Sequence, residues 1–183
     1  MGHPWSTINT SGYPFANIPL GQAWSNLYWL SILVSRRPRL CGAVEIGTWH
    51  GALTTFLGLH FPDSVLTADI LDRRDEHTKR LHHRLGITFC QADCHDRSVL
   101  GMLMNKVPRP ALVFVDGGHK TTEFLLVAQL LGPGDVIGVH DVGTEFHLTD
   151  QVQFVVDGQA LKQIPYEGQP TMEETLTVYW EIP

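Results

Sequence analysis

Val44-Glu45-Ile46-Gly47-Thr48-Trp49-His50-Gly51 is an apolar run that ends in a glycine turn, and Leu53, Phe56 and Leu57 behind it fall on one helical stripe. A short apolar run, a glycine turn and a helical stripe together read as one strand-to-helix unit. Gly47 permits a tight turn, and Gly51 lets the chain enter the helix close to the sheet. The spacing is Glu-x-Gly-x-x-x-Gly, not the Gly-x-Gly-x-x-Gly of dinucleotide binders. A carboxylate just before the turn is a poor neighbour for pyrophosphate. It suits a ligand carrying an amine or a sulfonium charge. The same residues also read as a plain strand-to-helix turn.

Outward from this unit the pattern repeats. Apolar runs begin at Cys41, Val65, Ile87, Ala111 and Val136, about every 22–25 residues, the length of a strand plus a crossover helix. Most are continuous rather than alternating, as strands buried on both faces of a parallel sheet are. Helical stripes fit between them: His77, Leu81 and Leu85; Val99, Leu100, Leu103 and Met104, with Asp96 as N-cap; and Phe124, Leu125, Ala128 and Leu131, stopping at Gly132-Pro133-Gly134. A fifth helix is expected from about Thr149 to Ala160. Residues 1–19 read as an arm and 20–36 as a helix on the sheet, containing Trp24, Leu27, Leu30 and Leu33. Leu161 to Tyr166 and Thr175 to Trp180 read as an antiparallel pair joined through Glu167-Gly168-Gln169-Pro170. The expectation is one α/β domain over 1–183, with 1–40 as arm and helix and 41–183 as core, and ligands at the carboxyl ends of the strands.

Composition narrows the function. Thirteen Lys+Arg against nineteen Asp+Glu give a formal charge of −6, so no basic surface for nucleic acid is expected. Arg73 to Arg84 also holds Asp75, Glu76 and three histidines, and it reads as a solvated helix face. No apolar run approaches the roughly 18–20 residues of a membrane span. The polar, turn-rich start, MGHPWSTINTSGYPF, does not read as a secretory signal. Cys41, Cys90 and Cys94 do not make a disulfide framework, and a reducing, cytoplasmic setting is expected.

Acidic residues close three consecutive runs: Glu45, then Asp69 in Thr67-Ala68-Asp69-Ile70, then Asp93 in Gln91-Ala92-Asp93-Cys94. Asp69 is placed to accept hydrogen bonds from two ribose hydroxyls, or is a solvated loop residue. Asp93 could accept from an adenine amino group or cap the next helix. Their order and spacing resemble those of class I S-adenosylmethionine-dependent methyltransferases over roughly residues 40–180. The resemblance implies a Rossmann-like open, mostly parallel seven-stranded sheet with helices on both faces and an antiparallel C-terminal pair. It implies that Glu45, Gly47, Thr48 and Gly51 hold the methionine part of S-adenosylmethionine. Asp69 and Ile70 would hold the ribose, and Asp93 and Cys94 the adenine.

Val113-Phe114-Val115-Asp116-Gly117-Gly118-His119 and Gly132-Pro133-Gly134-Asp135-Val136-Ile137-Gly138-Val139-His140-Asp141 resemble the small-molecule O-methyltransferase branch, which includes the macrocin-type, catechol-type and cephalosporin hydroxylase-like enzymes. That likeness implies a divalent metal (Mg, Mn or Zn) on Asp116, His140 and Asp141 beside the methyl donor. A cation there would lower the pKa of an acceptor hydroxyl and orient it. The chain departs from the pattern twice. His140 replaces a carboxylate, which favours Mn or Zn, and Lys120-Thr121-Thr122 stands where a tyrosine often follows. The alternatives are a metal-independent enzyme using His119 or His140 as base, and a protein that binds the donor without turnover. A nicotinamide-dependent oxidoreductase is a further rival, disfavoured by the missing Gly-x-Gly-x-x-Gly. Glu145 and His147 could touch the acceptor, and Trp5, Trp24, Trp29 and Trp49 could line its pocket or pack the core. The expected partners are a small-molecule acceptor and a second copy of the chain, a homodimer whose residues 1–35 cover an active site.

Overall fold

Five apolar runs form the strands that carry the site: β3 (Gly42–Ile46), β4 (Val65–Asp69), β5 (Thr88–Gln91), β6 (Ala111–Val115) and β7 (Val136–Val139). The computed structural model describes residues 14–21, 24–165 and 176–183. Before these strands come a two-residue pair, β1 (Pro14–Phe15) and β2 (Ile18–Pro19), and the helix α1 (Trp24–Ser35). Between and after them run α2 (Ala52–His60), α3 (Glu76–Arg84), α4 (Arg97–Met104), α5 (Lys120–Ala128) and α6 (Asp150–Gly158), then β8 (Lys162–Gln163) and β9 (Val178–Glu181).

The seven-stranded sheet has the order β5-β4-β3-β6-β7-β9-β8. Pairing from β5 through β7 is parallel, and β9 runs antiparallel to both β7 and β8. The expected terminal pair is therefore present, with its second strand inserted between β7 and β8. The turn expected at Glu167–Pro170 lies outside the described residues. Two apolar clusters fill the two faces. Leu100, Leu103, Phe124, Val127 and Phe146 pack on one, and Leu27, Leu30, Leu33, Leu53 and Leu57 on the other. Helices on both sides explain why the central strands are apolar at every position rather than alternately.

Most helix ends follow their sequence signals. Asp96 caps α4 by accepting from Ser98 N, and Thr149 caps α6 by accepting from Val152 N. Helix α5 ends at Ala128, short of the expected stop at Gly132. Leu130 N there donates to Val127 O at 2.8 Å, a tightened last turn that leaves the helical path early.

The parallel ladder runs one residue past the strand ends. Gly47 N donates to Ala68 O (2.8 Å), Asp116 N to Ile46 O (2.8 Å) and His140 N to Val115 O (3.2 Å). Those bonds set Gly47, Asp116 and His140 side by side on the carboxyl edge. Gly47 has φ +92°, and a Cβ there would lie 2.3 Å from Asp116 O, so the close approach of the two turns requires glycine.

Candidate active site

At the end of β4 the Asp69 carboxylate latches two turns. Its Oδ2 accepts from Trp49 N (2.9 Å) and its Oδ1 from Leu71 N (3.1 Å). Trp49 itself is left-handed, with φ 47°. Asp69 therefore sits where the sequence places it, at the mouth of the glycine turn, with Ile70 and Leu71 exposed beside it. A pocket opens between this turn and the arm, lined by Leu20, Gly21, Gly47, Thr48, Trp49 and Asp116, with Glu45 in its wall.

Glu45 is not the open anion that the sequence suggests. It is 1% exposed, and its Oε2 accepts from the Thr54 hydroxyl and from the Thr67 hydroxyl at 2.9 Å. Burial pushes its carboxyl up to about 8, against the opposing effect of the threonine bonds. The group is thus mostly neutral at pH 7 and braces β3 against β4 and α2. Thr48 joins the same network, its Oγ1 2.6 Å from Thr67 Oγ1.

The second half of the glycine turn rests on α3. His82 is buried, contrary to the expected solvated face, and burial lowers its imidazole to about 4. Arg74 can only donate to His82 Nδ1 (3.3 Å), so Nε2 carries the proton and donates to Gly51 O at 3.1 Å. A Cβ on Gly51 would lie 2.7 Å from the His82 ring, which ties Gly51 to the closeness of α2 and α3.

Asp93 lies on the loop after β5, with its side chain 60% exposed and Oδ1 accepting from His95 N at 2.9 Å. Cys94 beside it is buried, and burial first, then nearby carboxylates, push its thiol up to about 12. Asp96, not Asp93, caps α4.

Asp116, His140 and Asp141 meet at the ends of β6 and β7, each offering a ligand atom within 4.8 Å of the others. His140 Nδ1 is 3.3 Å from Asp116 Oδ1 and 3.2 Å from Asp141 Oδ1. Burial works to lower the His140 imidazole, but the hydrogen bonds to Asp116 and Asp141 outweigh it and raise it to about 9. His140 is therefore an imidazolium at neutral pH, and in that form neither ring nitrogen has a lone pair to offer the metal that the sequence places on it. Its hydrogen bond in turn holds Asp141 down at about 2.

Lys120 stands among these groups. Its Nζ lies 2.6 Å from Glu145 Oε2, 3.0 Å from Asp141 Oδ2 and 3.4 Å from Asp116 Oδ1, and it donates to Gly117 O at 3.1 Å. Burial would lower its ammonium, yet the Asp116 charge and the bonds to Glu145 and Asp141 raise it above the usual lysine range. By type and spacing, Asp116, His140 and Asp141 suit a divalent ion. They do not suit one while the ammonium shares two of the three donors. Sequence reading notes Lys120 only as a substitution. The signal that could have found it is its place on the stripe Lys120, Glu123, Phe124 and Val127, all buried.

His119 belongs to a neighbouring group. It is the N-cap of α5, and its ring packs edge-on against His95 with centroids 5.0 Å apart. His95 in turn lies between Asp93 and the buried Glu123. Of the tryptophans, Trp29 is core, Trp24 packs on Phe15, and Trp49 is 41% exposed at the pocket, while Trp5 lies outside the described residues.

No family profile matches this chain. No curated protein matches it in sequence. Solved structures do share its fold. MycE, a methyltransferase from the mycinamycin biosynthetic pathway determined with Mg and S-adenosylhomocysteine, aligns with TM-score 0.60 at 17% identity, over 86% of this chain and 49% of MycE. An O-methyltransferase from Bacillus cereus in complex with S-adenosylhomocysteine aligns with TM-score 0.62 at 16% identity, over 91% of this chain and 85% of that one. The N-methyltransferase NodS from Bradyrhizobium japonicum aligns with TM-score 0.54 at 17% identity, over 86% and 94%. The chain spans about half the length of MycE. The fold shared with these methyltransferases is Rossmann-like, and in this chain it is a seven-stranded, mostly parallel sheet with an antiparallel C-terminal pair.

Proposed function

We propose that this chain is an S-adenosylmethionine-dependent methyltransferase acting on a hydroxyl of a small molecule. One observation carries the reading. Asp69, the Gly47–Gly51 turn and the charged group around Asp116 converge at the carboxyl ends of four adjoining strands, where open α/β sheets bind ligands. MycE and the Bacillus cereus enzyme were each determined with S-adenosylhomocysteine, and MycE also with mycinamycin VI. NodS transfers to nitrogen, so the fold alone does not choose the acceptor atom. The dense charge beside the pocket favours oxygen here, because a hydroxyl must shed a proton as it attacks.

The residues suit the donor. Asp69 has lone pairs left for two ribose hydroxyls after accepting from Trp49 N and Leu71 N. Exposed Ile70 offers an apolar surface to a base, and Asp93 an acceptor for its amino group. Cys94 adds a small buried wall. Gly47 and Thr48 line the pocket that leads towards Asp116, while Gly51 sits against His82 behind it. Bound there, S-adenosylmethionine supplies a methyl carbon made electrophilic by a positive sulfur. Leu20 and Gly21 cover the pocket from the arm of the same chain, which keeps water off that end.

His140 is held as a cation by two carboxylates, which leaves His119 as the base in this reading. It stands three residues beyond Asp116 on the same loop. Asp116 and Asp141 fix the charge that faces the acceptor, and Glu145, from the loop after β7, shares Lys120 with them.

The test is calorimetry with S-adenosylhomocysteine. Wild-type protein is expected to bind it, and Asp69→Ala to bind about 1.5–3 kcal/mol more weakly, the worth of hydrogen bonds to a charged group. Unchanged affinity in the variant would overturn the placement of the ribose on Asp69.

A further inference from the structure

We infer that the Lys120 ammonium is the resident cation of the Asp116–Asp141–Glu145 carboxylate group and keeps a divalent ion out of it. The inference begins with position. Nζ lies within 3.4 Å of a carboxylate oxygen on each of the three residues, which come from the ends of β6 and β7 and from the loop beyond. A divalent ion using Asp116 and Asp141 would have to share those oxygens with a fixed positive charge. Like charges so close repel strongly in a buried site.

The lysine is also not placed for the sake of its helix. It occupies the first turn of α5, next to the N-cap His119, where the helix dipole disfavours a cation. Only 4% of it is exposed, on the same buried side of α5 as Phe124 and Val127. The surrounding acids outweigh the dipole and hold it. Glu145 accepts from it at the shortest of the three carboxylate distances and closes the group from the solvent side.

The role follows from the charge and rests on the methyltransferase reading. An ammonium fixed among the three carboxylates offsets their charge, as a metal ion otherwise would, so that an acceptor oxygen can approach them. It needs no metal to be loaded. The substitution of Lys120-Thr121-Thr122 in the O-methyltransferase-like loop and the replacement of a carboxylate by His140 then belong together. Both add positive charge to one acidic site.

The experiment reads Mn2+ binding by electron paramagnetic resonance on the purified chain at neutral pH, with no acceptor needed. Wild-type protein and Lys120→Arg are expected to leave Mn2+ free. Lys120→Met and Lys120→Gln are expected to bind one ion per chain at least about 100-fold more tightly, because a fixed charge has been removed from beside it. Equal binding by wild type and Lys120→Met would overturn the inference. So would no binding by any variant that circular dichroism shows to be folded, since the carboxylates would then not be a cation site at all. If Lys120→Met and Lys120→Gln fail to fold alone, recovery of their circular dichroism on adding Mn2+ supports the inference, and no recovery, or tight Mn2+ binding by wild type, overturns it. S-adenosylhomocysteine titrated into the same samples separates the two readings: loss of donor binding in wild type defeats the methyltransferase reading and leaves the Mn2+ comparison standing.

Discussion

Glu45 and Lys120 carry opposite formal charges, and the fold neutralises each in a different way. Glu45 is surrounded by threonine hydroxyls and apolar strands, so it keeps its proton. Lys120 is surrounded by acids, so it keeps its charge. The Glu45 carboxyl rises from 4.5 to about 8, so the folded protein binds more protons than the unfolded chain between those values. By linkage, that contribution to stability is fully present below pH 4.5, falls as pH rises, and is lost above about 8. Glu45→Gln keeps the hydrogen-bond geometry without the titration. Urea unfolding of this variant is expected to show a flatter pH dependence than wild type between pH 4.5 and about 8. An unchanged slope would mean that Glu45 is ionised in the fold.

At the scale of elements, the parallel ladder aligns the site and the rings between strands hold the ladder in place. Gly138 in β7 faces Phe114 of β6 and Tyr179 of β9, at paired positions. A Cβ there would lie 2.5 Å from Tyr179 Cε1 and 3.0 Å from Phe114 Cδ2. Gly138→Val is therefore expected to destabilise the protein by about 1–3 kcal/mol through overpacking, measured by guanidinium unfolding. Because His140 follows two residues later, the same variant should also disturb the charged group, whereas a substitution at exposed Phe154 on α6 should not. The apolar runs make β6 and β7 legible from sequence. The vacancy that Gly138 leaves for two rings is not, because those rings arrive from other strands.

Over the whole molecule, the two ends of the chain are tied together. Tyr179 in β9 donates its hydroxyl to Asn26 Oδ1 of α1 at 3.0 Å in a buried setting, and Arg37 reaches Glu181 at 3.0 Å nearby. Helix α1 is thereby part of the sheet's packing. Tyr179→Phe is expected to cost about 1–2 kcal/mol and to keep a single unfolding transition, with near-ultraviolet and far-ultraviolet circular dichroism coinciding. Two separated transitions would show that α1 folds apart from the sheet. The expected homodimer drew on an apolar arm with no core of its own. Within the described residues Ile18 and Leu20 of that arm are buried in the chain's own core, so residues 14–21 give that argument no support. Among the described residues no helix is long and apolar enough to cross a membrane.

Local pattern was enough for the alternation of strands and helices, the buried central strands, the cap at Asp96, the start of α6 near Thr149, and the placing of Asp69 and Asp116 at strand ends. These follow from periodicity and short-range hydrogen bonding, which neighbouring residues set by themselves. The tertiary structure alone decided that Glu45 is neutral, that His82 is buried beneath Gly51, that His140 is an imidazolium, and that Lys120 lies among three acids. Each of these depends on groups brought from other elements by the sheet register. A charge's state is set by the dielectric and the partners around it, and those exist only once the strands have paired.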